Sequence, residues 1–263
     1  MIVAILILVG FFASVVGAIC GIGGGVVIKP VLDSIGFAGA DTISFLSGLT
    51  VLCMSGYNII KSFLAKEKMD LETGTPLALG AAFGGIAGKQ LFNAIKSHSA
   101  NPSFVGGVQA LSLALATFLT LIYTLKSNQI RTKKIKSKAV CILIGLVLGF
   151  MSSFMGIGGG PFNLAVLSYF FSMGTKEAAK SSLYIILVSQ IFSLLTTFVT
   201  KSVPYFEPVW VIVMSLSGIA GGIVGRNINR KISAENVRKL FIGFLYVIIA
   251  ISVYNSLKAF GLI

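Results

Sequence analysis

The residues of this chain best placed to do chemistry are two glycine clusters with the same spelling. GIGGG supplies Gly21, Gly23, Gly24 and Gly25, and a second GIGGG supplies Gly156, Gly158, Gly159 and Gly160. Each glycine costs about 1 kcal/mol of helix propensity, so a continuous helix is not expected through either cluster. A short apolar run follows each one, near 26–32 and 161–173, and should begin a new helix. Pro161 suits a first helical turn, where its missing N–H would be unpaired anyway. The free N–H groups and positive end of such a helix favour an anion. Anion binding is therefore the chemistry the clusters suggest.

Few polar residues lie near them. Ser152, Ser153 and Asn163 flank the second cluster, Ser47 and Ser182 are equivalent at an offset of 135, and Gln190 lies mid-run in 181–200. A serine in a membrane helix usually bonds its own backbone, so each serine reads first as structural. Asn163 and Gln190 are costlier to bury and favour a cavity. Lys29, five residues past the first cluster, suits either an anion or a snorkelling role at the interface. These residues and the eight cluster glycines form the candidate substrate-binding set.

Other chemistries lack their residues. No HExxH, GxSxG or mid-span pair of aspartates occurs, which argues against an enzyme. His98 is the single histidine, and Cys20, Cys53 and Cys141 sit in apolar stretches with no metal-ligand spacing. No metal or cofactor is expected. A nucleotide loop would need a preceding strand and a terminal Lys-Ser/Thr. All eight carboxylates lie in or beside connectors, so no proton relay or sodium cage is visible. An anion needs none to leave a cell, since export of one negative charge releases about 2.3 kcal/mol per 100 mV.

The elements that must hold these residues belong to a membrane. Of 263 residues, 56% are hydrophobic and 11% charged, with mean hydropathy +0.95, whereas soluble domains are about 25% charged. A soluble enzyme, a nucleic-acid module and a disordered chain are all excluded by that balance. The net charge of +13, lying between apolar blocks, points to lipid headgroups and not to nucleic acid. A span needs about 20 apolar residues, and runs of that size fall near 2–20, 42–60, 76–95, 104–125, 139–155, 181–200, 206–225 and 237–257. The first lacks the positive start of a cleaved signal peptide and reads as a membrane segment.

An internal repeat organises the runs. GIGGGVVIKPVL at 21–32 matches GIGGGPFNLAVL at 156–167, GGIAGK at 84–89 matches GGIVGR at 221–226, and FVG at 104–106 matches FIG at 241–243. The offsets are 135, 137 and 137. Residues 1–125 and 139–263 are thus two transmembrane repeats joined by a basic linker, 126–138. Gly84/Gly88 and Gly221/Gly225 read as helix-packing glycines.

Charge decides how the halves are oriented, because Lys and Arg gather on the cytoplasmic side. If all eight long runs cross, the 21 basic residues split 11 to 10. If 2–32 and 139–173 are hairpins returning to their own side, they split 16 to 5, with Lys61, Lys66, Lys68, the linker, Arg226, Arg230 and Lys231 on one face. The second arrangement obeys the rule. The expected fold is an all-α polytopic membrane protein of two inverted repeats. Each repeat has a glycine-broken hairpin and three transmembrane helices.

The GxGGG segment opening each half, the GGIxG[KR] segment in each half and the length near 260 resemble the sulfite exporter TauE/SafE family across essentially the whole chain. The resemblance implies a multi-pass plasma-membrane transporter of sulfur-containing anions such as sulfite or an organosulfonate. Only the glycine segments carry over residue by residue. Val26 and Val27 stand where the second half has Pro161 and Phe162, so the half-sites should be chemically unequal. The expected activity is uniport or export of a small anion bound between the two glycine-rich helix starts. An anion channel, or transport of an unrelated small anion, is the alternative. Expected partners are the anion and membrane lipids, with a homodimer left open.

Overall fold

The structure, a computed structural model, describes residues 2–98 and 102–262. Among them the first half forms α1 (Ile2–Cys20), α2 (Gly25–Ile35), α3 (Ala40–Leu64), α4 (Leu71–His98) and α5 (Pro102–Lys126). The second half forms α6 (Lys138–Phe154), α7 (Phe162–Phe171), α8 (Thr175–Val199), α9 (Pro208–Lys231) and α10 (Ala234–Ala259). The protein is an all-α polytopic membrane protein. Among the described residues six helices, α1, α3, α5 (from Phe104), α8, α9 and α10, are long and apolar enough to cross a membrane. The longest helix, α4 at 28 residues, is not among them, because its glycines, threonines and Lys89 dilute its apolar content.

The glycine clusters do break the helices, between α1 and α2 and between α6 and α7. The charged stretch 226–239 is no loop: only Ile232 and Ser233 separate α9 from α10. Arg226 and Arg230 ride on the last turns of α9, where a helix favours cations. Apolar runs mark where lipid ends, and helices continue past it.

Small residues set the packing. Gly80, Gly84 and Gly88 of α4 lie against the backbone of Ile142, Leu146 and Phe150 of α6, while Gly145 and Gly149 of α6 lie against Leu77 and Ala81 of α4. Numbers rise together, so the two helices run parallel. Gly221 and Gly225 of α9 meet Phe11 and Val15 of α1 in the same way. A Cβ at any of these glycines would strike a carbonyl oxygen, which gives Gly84/Gly88 and Gly221/Gly225 the packing role expected of them.

Two further contacts fix the short helices. Lys133 and Ile135, just before α6, donate backbone N–H bonds to the Tyr169 and Phe170 carbonyls at the end of α7, at 2.7 and 3.0 Å. Leu6, near the start of α1, shares a buried cluster with Ile28 and Leu32 of α2. Each long-short pair therefore doubles back. Phe12, Leu119, Leu143 and Leu216 are exposed on the outside. Such a surface would aggregate in water and is solvated by lipid.

Candidate functional site

The two glycine clusters pack against each other. A Cβ on Gly25 would collide with the Ile157 carbonyl oxygen, and one on Gly159 would stand 3.3 Å from the Ile22 carbonyl oxygen. Ile22 and Ile157, the apolar residue of each cluster, are wholly buried. Four cluster glycines need the left-handed backbone that other residues avoid: Gly21 at φ +72°, Gly23 at +75°, Gly156 at +68° and Gly158 at +67°. The two breaks are thus conformational copies of one another.

Their surroundings differ. The first cluster is buried throughout, with Gly21 pressed on Ala179 of α8 and Gly24 close to Ala13 and Ser14 of α1. The second faces a cavity of about 490 Å³, which Ser153, Gly156 and Gly158 line. Gln190 of α8 lines it too, its amide lying over Gly158 and Gly48. Glycine at both positions leaves room for that amide.

The remaining walls come from both halves and mix apolar residues, Phe45, Phe92, Leu194 and Pro204, with polar ones. Lys89 of α4 donates a hydrogen bond to Thr197 of α8, and both line the cavity beside Ser193, Asn93 and Ser44. Gln109 of α5 donates to the Phe154 carbonyl at 2.6 Å, and its buried Oε1 has no partner among the described residues. Asp41, at the start of α3, sits on the same wall. One ammonium group, several neutral donors and the Asp41 carboxylate face one space beside a broken backbone, and the ammonium group and donors are of the kind that hold a small oxyanion.

Other candidates do not line the cavity, although the Lys29 side chain lies 3.0 Å from where a Cβ on Gly156 would stand. Lys29 is buried and pairs with Asp33 at 3.0 Å. Asn163 donates to Ser182 at 3.4 Å, and with Ser152 and Gly159 it lines a pocket of only about 10 Å³. The Ser47 hydroxyl and the Asn163 side-chain Oδ1 are buried without partners among the described residues. Gly160 packs on the ring of Phe162. Of the predicted set, the cavity gathers Ser153, Gly156, Gly158 and Gln190. Sequence reasoning missed Lys89, Gln109, Ser193 and Thr197. The signal for Lys89 was present, since it closes the repeated GGIAGK segment.

A second polar group lies at the other ends of α3 and α8. Glu67, in the connector after α3, accepts from Arg226 Nη2 at 2.6 Å and pairs with Lys180 Nζ at 2.7 Å. Arg226 Nη1 also donates to Ser62 at 2.7 Å and to the Asn58 carbonyl at 3.0 Å. Burial alone would raise the Glu67 carboxyl. The hydrogen bond and charge of Lys180, with the charges of Arg226 and Arg230, outweigh it and hold Glu67 below its ordinary value.

Comparison with known proteins agrees with this architecture. The family model described as "Sulfite exporter TauE/SafE" matches residues 6–252. The chain belongs to the TauE/SafE family. It is 24% identical over 257 residues to the "Probable membrane transporter protein YunE" of Bacillus subtilis, covering 89% of this chain and 90% of that one. It is 26% identical over 259 residues to the "Probable membrane transporter protein MJ0441" of Methanocaldococcus jannaschii, covering 92% of each. This TauE/SafE member is a multi-pass membrane transporter.

Proposed function

We propose that this transporter carries a small oxyanion, sulfite or an organosulfonate, out of the cell. The observation that carries the reading is the cavity itself, where Lys89, Gln190 and the broken backbone at Gly156 and Gly158 face one space. The anion sits against the second glycine cluster. The first cluster, packed behind it, holds the break in place.

We further infer that residues 1–125 and 139–263 are inverted repeats. The parallel pairing of α1 with α9 and of α4 with α6, together with the doubled-back short helices, supports opposite senses for the two halves. The 16-to-5 division of basic residues supports a cytoplasmic linker, with the cavity facing the other side. A channel would need an open path to both faces, and the group around Glu67 leaves about 30 Å³ there.

Flux into or out of proteoliposomes, with thermal-shift titrations against sulfite, thiosulfate, sulfoacetate, sulfate and chloride, tests this reading. Saturable flux of a sulfur oxyanion supports it. Neither flux nor stabilisation by any of the five anions would remove it.

A further inference from the structure

The pocket of about 30 Å³ around Glu67 is the repeat-related copy of the open cavity. At offsets of 135 for α1, α3 and the turns after them, and 137 for α4, every residue lining the small pocket falls on a residue lining the large one. Arg226 corresponds to Lys89, Ser62 to Thr197, Asn58 to Ser193, and Glu67 to Ser202. The hydrogen bonding is copied as well. Lys89 donates to Thr197 as Arg226 donates to Ser62.

Even the turns agree. Lys66 and Lys201 are both left-handed, at φ 49° and 51°. In the residues that follow, Glu67 N–H donates to the Ser62 carbonyl and Ser202 N–H to the Thr197 carbonyl, each at 3.0 Å. The two sites lie at opposite ends of α3 and α8, one open and one shut.

What differs is the charge. The open cavity has Phe45 and Asn93 where the shut pocket has Lys180 and Arg230. Between these cations lies the Glu67 carboxylate, one oxygen on Arg226 and the other on Lys180. A carboxylate held by a guanidinium and an ammonium group satisfies the donors that a small oxyanion would use. Its counterpart Ser202 carries no charge, and the carboxylate of the open cavity is instead Asp41, at the start of α3.

We propose that Arg226, Lys180 and Arg230 form an oxyanion entry site on the linker side of the membrane, kept shut in this state by the side chain of Glu67. The entering anion takes the place of the Glu67 carboxylate on Arg226 and Lys180, and that face opens as the outer one closes. Exchange of conformation between repeats is how repeat-built carriers alternate access. The proposal rests on the anion-carrier reading above, and it adds where the anion enters.

The repeat pairing supplies the experiment. With the three native cysteines replaced by alanine, Asn58→Cys reports on the shut pocket and Ser193→Cys on its open copy. A membrane-impermeant maleimide is applied to reconstituted protein from each side. Ser193→Cys should react readily from the side away from the linker, and Asn58→Cys slowly from the linker side. Adding Glu67→Gln should speed Asn58→Cys at least tenfold. Lys180→Gln, which removes one leg of the plug, should speed it by less.

In titrations with sulfite and methanesulfonate, Glu67→Gln should bind at least tenfold more tightly, and Arg226→Gln should abolish the gain. Unchanged reactivity at Asn58→Cys in both plug variants overturns the proposal, whatever anion is used. Unchanged affinity in an Asn58→Cys protein that has opened overturns the entry-site role and leaves Glu67 a structural pairing. Absence of binding by any variant strikes the anion-carrier reading instead.

Discussion

Single residues carry the difference between the two ends of the pathway. Lys89 is a cation on the cavity wall, held by Thr197. A hydrogen bond to a charged group contributes about 1.5–3 kcal/mol, and each 1.4 kcal/mol is about tenfold in affinity. Lys89→Gln should therefore weaken oxyanion binding by about 10- to 100-fold in a thermal-shift or calorimetric titration, with the fold retained. Gln190→Ala should weaken it less, since a neutral donor is lost. Equal affinity in both variants would mean that the anion sits elsewhere. Glu67 has a pH signature of its own. Its carboxyl is held below the ordinary value, so its stabilising share is full above the unfolded value of about 4.3. That share is lost as pH falls through the lower folded value. Melting of Glu67→Gln should depend less on pH across that acid range than melting of the parent protein, and parallel curves would contradict the assignment.

Whole helices pack through glycine, and here the energetic stakes are steric. At Gly84 any Cβ meets the Leu146 backbone, and at Gly149 the Ala81 backbone. Backbone cannot move aside as a flexible side chain can, and overpacking costs about 1–3 kcal/mol or more. Gly84→Val and Gly149→Val should each lower the melting temperature in detergent. Gly243→Ala on α10, where nothing lies within 4 Å, should leave it level or raise it. Similar melting of all three variants would show that α4 and α6 do not pack as described. These contacts were readable in the sequence as GGIAGK and GGIVGR, and the helix breaks as two copies of GIGGG. The cavity was not readable, because it forms where α3, α4 and α8 meet beside the second glycine break, from segments far apart in the sequence. Lys89 lies 67 residues from Gly156 (156 less 89), and only packing brings it near. The burial of the first cluster was equally hidden, since identical motifs cannot say which copy faces solvent. The repeat gave a clue that went beyond the glycines: both GG segments end in a cation, and those cations mark the two mouths.

At the scale of the molecule, one chain builds an open mouth and a shut one from the same parts, and the membrane must lie between them. Along α3 the chain passes from Asp41, on the open cavity, to Ser62, on the shut pocket. It passes back along α8 from Lys180 to Thr197. The turn after α3 and the turn between α9 and α10 therefore belong to the face that carries the linker, with 16 of the 21 basic residues. By the positive-inside rule that face is expected to be the cytoplasmic one. Impermeant labelling of single-cysteine variants in oriented vesicles reads this directly. Ala65→Cys and Asn236→Cys lie at those two turns, and both should react from the cytoplasmic side. Tyr205→Cys, 85% exposed in the connector before α9, should react only from the opposite side. Neutralising Lys133, Lys134 and Lys136 should lower the fraction of correctly oriented protein and leave anion affinity within about twofold, because those residues lie outside the cavity wall. If Ala65→Cys and Asn236→Cys react from opposite sides, the halves are parallel. The end of α9 would then stand across the membrane from the end of α3, the Arg226–Glu67 pair could not form, and there would be no shut mouth to exchange with the open one.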